Sequence, residues 1–281
     1  MKWTTLVDVD ALAAALGNAE VRLIDARFSL MDPLAGRAGY DASHLPGATY
    51  ADLNVDLSQL GLAGEGRHPL PDEKTFAGKV GEWGIAPGDQ VVVYDAGDGS
   101  MAAARLWWML RLLGHERVAV LDGGLAAWRA KGLPETSQLH PPVAVAPYPA
   151  GFDRSRIATS SEVQSRLQDA PGWLLDARAG ERFRGEVEPI DPVAGHVPGA
   201  VNRPIADNLL AGHFRSAEEL QAAIEPLLGG RDPQDVVVMC GSGVTACHLL
   251  LAMEHAGLHG ARVYAGSWSA WISDPARPIA R

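Results

Sequence analysis

The stretches "QVVVYDAGDGS" (Gln90–Ser100) and "DVVVMCGSGVT" (Asp235–Thr245) share one plan. Each sets an unbroken apolar run against a glycine-bearing turn, and a helix-forming segment follows. Working outward, "RLIDAR" at Arg22–Arg27 returns as "WLLDAR" at Trp173–Arg178. "HLPGA" at His44–Ala48 returns as "HVPGA" at His196–Ala200, and "LDGGLAAW" at Leu121–Trp128 as "YAGSWSAW" at Leu121's counterpart Tyr264 through Trp271. These matches keep their order and nearly their offset, so the chain reads as two copies of one unit. The proline-rich, aperiodic segment between the copies reads as a linker. The expected division is a first domain over 1–135, a linker over 136–153 and a second domain over 154–281.

Within each copy, short apolar runs alternate with helical patterns. "VRLID", "VVVYD" and "VAVLD" are strand-like in the first copy; "WLLD", "VVVM" and "ARVYA" are their partners. Between strands lie "MAAARLWWMLRLLG" and "VTACHLLLAMEHAG", each stopping at glycine. Apolar strands without polar alternation are covered on both faces, which means parallel sheets flanked by helices. The expected class is α/β, with two tandem domains of this kind. In such sheets ligands bind beyond the carboxyl ends of the strands.

Composition narrows the function. Hydrophobic residues make up 47% of 281 residues, enough for packed cores. No apolar run approaches the roughly 18 residues of a membrane span, so no membrane role is expected. The early "MKWTTLVDVDALAAALG" reads as a strand and a capped helix rather than a secretory signal. A net charge of -10 argues against nucleic acid as a partner. Two cysteines make no disulfide framework, and a reducing cytoplasmic setting is expected. No metal-ligand spacing is present among the histidines and cysteines, and the sequence calls for no cofactor.

Cys240 stands at the end of the second copy's central strand. Gly241 and Gly243 permit backbone angles that turn successive N–H groups inward. A helix beginning near Val244 and Thr245 adds its positive end. Such a loop stabilises a sulfur anion, so Cys240 is the expected nucleophile. The first copy has Asp95 at that position, which cannot play this part. Cys247 lies inside an apolar helix and reads as core. His44 and His196 occur in both copies, which favours a structural role, as does an internal ion pair for Arg27 with Asp25.

With these residues in hand, the tandem "DAR…H(L/V)PGA…VVV(Y/M)…AW" pattern resembles the two-domain sulfurtransferases of the rhodanese superfamily. The resemblance covers essentially the whole chain. Cys240–Ala246, "CGSGVTA", is similar to the active-site loop of its 3-mercaptopyruvate sulfurtransferases. It implies two rhodanese-like domains, the second catalytic. It also implies a sulfur atom carried as a Cys240 persulfide from a small donor to a thiol or cyanide acceptor, with thioredoxin among the open acceptors. The loop of Gly241, Ser242, Gly243, Val244 and Thr245 would hold the anion. Arg182, in "ERF" after the second "DAR", matches the arginine that binds the substrate carboxylate. The family's second arginine, nine residues on, falls near Asp191 here. The resemblance further groups Asp52 and His68 with Ser242 as a proton relay, which requires the two copies to meet at the cysteine loop.

Three competing readings follow from the same residues. Thiosulfate is the alternative donor, but the thiosulfate-preferring rhodaneses carry basic side chains where this loop has Gly241 and Ser242. A cysteine-dependent phosphatase would need an arginine near Thr245 or Ala246. A non-enzymatic persulfide carrier would leave Arg182, Asp52 and His68 without a purpose.

Overall fold

The computed structural model describes residues 2–97, 99 and 102–281. Asp98 and Ser100, at the end of the first quoted stretch, and Met101, at the start of the following helical pattern, lie outside the described residues. The chain forms two compact units: residues 1–59 with 70–153, and residues 60–69 with 154–281.

The first unit holds a five-stranded parallel sheet of β1 (Leu6–Val7), β2 (Val21–Asp25), β3 (Ala48–Tyr50), β4 (Gln90–Tyr94) and β5 (Val118–Leu121). The order is β1-β5-β4-β2-β3. The second unit has β6 (Ile157–Ala158), β7 (Leu174–Asp176), β8 (Val201–Asn202), the hairpin strands β9 (Leu209–Leu210) and β10 (His213–Phe214), β11 (Val237–Met239) and β12 (Arg262–Tyr264). Its sheet runs β6-β12-β11-β7-β8, all parallel. With the β9–β10 hairpin set aside and the strands counted within each copy, the two orders are identical. This is the duplicated α/β fold that the sequence predicts.

The duplicated motifs turn out to be the bracing of each unit. Arg27 Nη2 donates to Asp25 Oδ2 at 2.7 Å, and Arg178 Nη2 to Asp176 Oδ2 at 2.7 Å. All four side chains are buried, and each pair is also hydrogen-bonded through the arginine backbone N–H. Such a pair specifies geometry more than it adds stability. His44 stacks on Tyr40 and His196 on Phe183, and both histidines exchange backbone hydrogen bonds with the segment that follows the last helix of their copy. Trp128 and Trp271 each donate Nε1 to a proline carbonyl at 3.0 Å, Pro134 and Pro278 respectively. A buried indole N–H left without a partner would be costly, so this bond fixes both tryptophans.

The strands β4 and β11 are fully buried, and each is followed by a loop and an apolar helix, Ala102–Leu112 and Thr245–His255. Residues 136–153 form no helix or strand and belong to the first unit, bonded to the rest of it through Val145 N–H to Gly81 and Tyr148 N–H to Ala77. Among the described residues no helix is long and apolar enough to cross a membrane.

Candidate active site

Cys240 follows directly on β11, whose last residue Met239 pairs with Asp176 of β7. The thiol therefore sits at the carboxyl end of a central parallel strand, where the fold leaves room for a ligand. Its Sγ accepts the Gly243 backbone N–H at 3.2 Å, and Cys240 is 1% exposed. Gly243 has φ +77°, which allows the chain to double back so that this N–H faces the sulfur. Val244 and Thr245 then open the helix Thr245–His255. At the matching position of the first unit a carboxylate stands in place of the thiol: Asp95 Oδ1 accepts from Gly97 N–H at 3.2 Å and Gly99 N–H at 3.0 Å.

The start of the helix Ser267–Trp271 holds the cysteine loop in place. Trp268 N–H donates to the Cys240 carbonyl at 3.0 Å and Ser269 N–H to the Gly241 carbonyl at 2.9 Å. Ser267 Oγ accepts the Cys240 N–H at 3.0 Å, donates to the Tyr264 carbonyl at 2.8 Å and lies 4.0 Å from Sγ. Ser267 has φ +50°, where the first copy has Gly124 at φ +54°. A serine held in the left-handed region costs energy, and here its hydroxyl touches the reactive residue. Its signal in the sequence is the serine of "YAGSWSAW" standing against the glycine of "LDGGLAAW".

Residues 60–69 belong to this unit and bring His68 to the loop. His68 Nδ1 lies 2.9 Å from Ser242 Oγ, and both residues are buried. Arg67 N–H donates to Ser269 Oγ at 3.1 Å, which fastens the segment. Asp52 is in the first unit, where its Oδ1 accepts the N–H groups of Asn54 and Val55 at 2.8 and 3.1 Å. That is turn capping, the local use of an aspartate that competes with any other role.

Arg182 also reaches the loop. A Cβ built on Gly241 would lie 2.9 Å from Arg67 Nη2 and 3.6 Å from Arg182 Nη2. Both guanidiniums already hold carboxylates. Arg182 Nη2 donates to Glu188 Oε1 at 2.6 Å and to Asp191 Oδ2 at 3.2 Å, and Arg67 pairs with Asp191. Burial pushes the Asp191 carboxyl up from its ordinary value, and the Arg67 charge opposes this only in part. Burial also pushes on Glu188, but hydrogen bonds from Arg182 and from the Asp191 and Ile190 N–H groups outweigh it and hold that carboxyl below its ordinary value. Cys247 is core as expected, and its Sγ donates to the Gly243 carbonyl at 3.3 Å. Among the described residues no group of three or more His, Cys, Asp or Glu is placed to hold a metal ion.

The arrangement can present a buried sulfur anion to a small anionic donor, with a hydroxyl–imidazole pair beside it. Comparison with known proteins points the same way. The model of the rhodanese-like domain matches residues 8–131 and 159–274. A Pseudomonas aeruginosa protein named "Probable 3-mercaptopyruvate sulfurtransferase" is 47% identical over 286 residues, covering 100% of this chain and 99% of that one. The thiosulfate sulfurtransferase of Rattus norvegicus is 35% identical, over 96% of this chain and 92% of its own. Among solved structures, the 3-mercaptopyruvate sulfurtransferase from Leishmania major superposes with a TM-score of 0.84 at 32% identity, over 95% of this chain and 73% of that one.

Proposed function

We propose, from the premise that this chain belongs to the rhodanese-like family of sulfurtransferases, that its donor is 3-mercaptopyruvate and its acceptor a thiol or cyanide. The observation that carries the reading is the cysteine loop: a buried thiol facing the Gly243 N–H, with the Arg182 guanidinium beside Gly241. The Cys240 thiolate attacks the donor sulfur. A sulfur–sulfur bond forms and the carbon–sulfur bond breaks, its electron pair staying on carbon. The resulting pyruvate enolate takes up the proton that the donor thiol gives up, and Cys240 is left as a persulfide anion. An acceptor thiolate or cyanide then attacks the outer sulfur and returns Cys240 as thiolate.

The Ser242–His68 pair is assigned the proton transfer, since a general acid–base group must sit within hydrogen-bond reach of the path and the two side chains are 2.9 Å apart. Asp52 is assigned to the same relay on the family resemblance. Arg182 is assigned the donor carboxylate, which suits its planar fork. Gly241, Gly243, Val244 and Thr245 line the anion. The setting proposed is the cytoplasm, where a thiol stays reduced between cycles and thioredoxin or small thiols are at hand.

The test is kcat/KM for mercaptopyruvate and thiosulfate in one assay. Mercaptopyruvate is expected to be preferred, because Gly241 and Ser242 carry no charge and the Arg67 and Arg182 guanidiniums beside Gly241 are already offset by Asp191 and Glu188, which leaves thiosulfate's second charge unmet. A thiosulfate value equal or higher reverses the assignment. Arg182→Ala is expected to lower kcat/KM for mercaptopyruvate by about 1.5–3 kcal/mol, the scale of a charged hydrogen bond; an unchanged value removes Arg182 from the site. His68→Ala is expected to lower kcat by about 10²-fold or more, the scale of a general acid–base group. Circular dichroism checks that the variant folds, and wild-type kcat/KM across pH would end the relay assignment.

A further inference from the structure

Asp191 occupies the place, nine residues after Arg182, where the family resemblance calls for a second arginine. It nevertheless lies in the middle of a guanidinium pair. Its side chain is 2% exposed, and its two oxygens take Arg67 Nη1 on one side and Arg182 Nη2 on the other. Arg67 comes from a distant part of the chain. Its Nε is buried and has no hydrogen-bond partner among the described residues. Its Nη2 points toward the cysteine loop, 2.9 Å from where a Cβ on Gly241 would stand, and donates to none of the described residues. On a side chain that is 28% exposed, this Nη2 is a charged donor open to an incoming acceptor beside the thiol.

We propose that Arg67 is the second carboxylate-binding guanidinium of the donor site, acting with Arg182, and that Asp191 is an internal carboxylate holding the pair until the donor's carboxylate displaces it. The proposal rests on the mercaptopyruvate reading above. It explains how a chain lacking the expected second arginine keeps two cationic groups at its loop. The ion-paired charges beside the thiol balance: Arg67, Arg178 and Arg182 face Asp176, Glu188 and Asp191. They leave no spare positive charge for the Cys240 thiolate, so an arriving monoanion adds one further negative charge, which favours Asp191 turning outward or taking a proton. A dianion such as thiosulfate adds two. Asp191 is therefore a specificity-determining residue as well as a placeholder. Glu188 is fixed by the Ile190 and Asp191 N–H groups at 3.1 Å each, so it stays and keeps Arg182 aimed while Asp191 moves.

The experiment uses the full chain with 3-mercaptopyruvate and its methyl ester, which lacks the carboxylate charge. Arg67→Ala is expected to raise KM for the acid at least tenfold with kcat within threefold, and to change the kcat/KM of the ester by less than threefold. Arg67→Lys is expected to give an intermediate KM for the acid, and it carries the test should the alanine variant fail to fold. Asp191→Asn is expected to lower KM for thiosulfate at least threefold. Equal losses for acid and ester in the Arg67 variants would make Arg67 a structural brace and overturn the proposal. An unchanged KM for the acid, or a thiosulfate KM unaffected by Asp191→Asn, would overturn it as well. A wild-type enzyme inert toward mercaptopyruvate overturns both this proposal and the function it rests on; an active wild type with an indifferent Arg67→Ala overturns this proposal alone.

Discussion

Cys240→Ser is expected to stop sulfur transfer, lowering turnover by about a thousandfold or more, the scale seen when a covalent nucleophile is lost. A serine hydroxyl in the same loop is scarcely ionised and cannot hold a sulfane sulfur as a persulfide. The geometry around the residue should survive, because residue 240 makes its bonds to Ser267 Oγ and to the Trp268 N–H through its own backbone N–H and carbonyl. The loss should therefore appear without a change in melting temperature beyond a few degrees. Cys247→Ser is the companion. Cys247 sits within the helix Thr245–His255, and its thiol donates to the Gly243 carbonyl, a bond that a hydroxyl can replace. That variant should keep most of the activity. Mass spectrometry after donor treatment should find one added sulfur atom on Cys240, and its appearance on Cys247 alone would transfer the nucleophile's role to the helix.

The sequence made the fold legible because parallel strands covered on both faces leave unbroken apolar runs, and because the chain states its plan twice. β4 and β11 were visible as "VVVY" and "VVVM", and the equal strand orders follow from the repeat. Edge strands such as β1 and β6 are two residues long and carry little pattern of their own. The nucleophile was legible for a local reason: a thiol between a strand and a glycine turn needs only neighbours in sequence to be interpreted. What was not legible depends on long-range contacts. Residues 60–69 show no periodicity, so nothing in them says that they belong with the second unit. Glu188 and Asp191 look like surface acids in "GEVEPIDP", yet both side chains are at most 3% exposed and hold Arg182 between them. The sequence presents Arg182 as an anchor awaiting a carboxylate, whereas in the fold it already has two. Ser267 was hidden because its importance lies in a backbone angle, which only the comparison with Gly124 suggests.

Gly243→Ala is expected to damage stability and catalysis together, because this glycine is where the cysteine loop meets the turn that leads into the helix Ser267–Trp271. At φ +77° a Cβ is disfavoured by about 1–2 kcal/mol on backbone grounds alone. Here the added carbon would also run into the Ala265 carbonyl, coming against its oxygen and to within 2.9 Å of its carbon. Backbone cannot step aside as a flexible side chain can, so overpacking adds about 1–3 kcal/mol. The summed cost of about 2–5 kcal/mol should appear as a lower urea midpoint for the second unit. The relief available to the chain is to move the cysteine loop away from residues 265–269. That movement breaks the register of Trp268 and Ser269 N–H groups on the Cys240 and Gly241 carbonyls, and it turns the Gly243 N–H off the sulfur. A donor N–H lost from a developing sulfur anion costs about 10²-fold or more in rate, by analogy with other anion-stabilising loops. Single-turnover formation of the Cys240 persulfide, followed well below the variant's unfolding midpoint, separates this effect from simple unfolding. A Gly243→Ala protein that forms persulfide at the wild-type rate would show that the Gly243 N–H does not stabilise the sulfur anion.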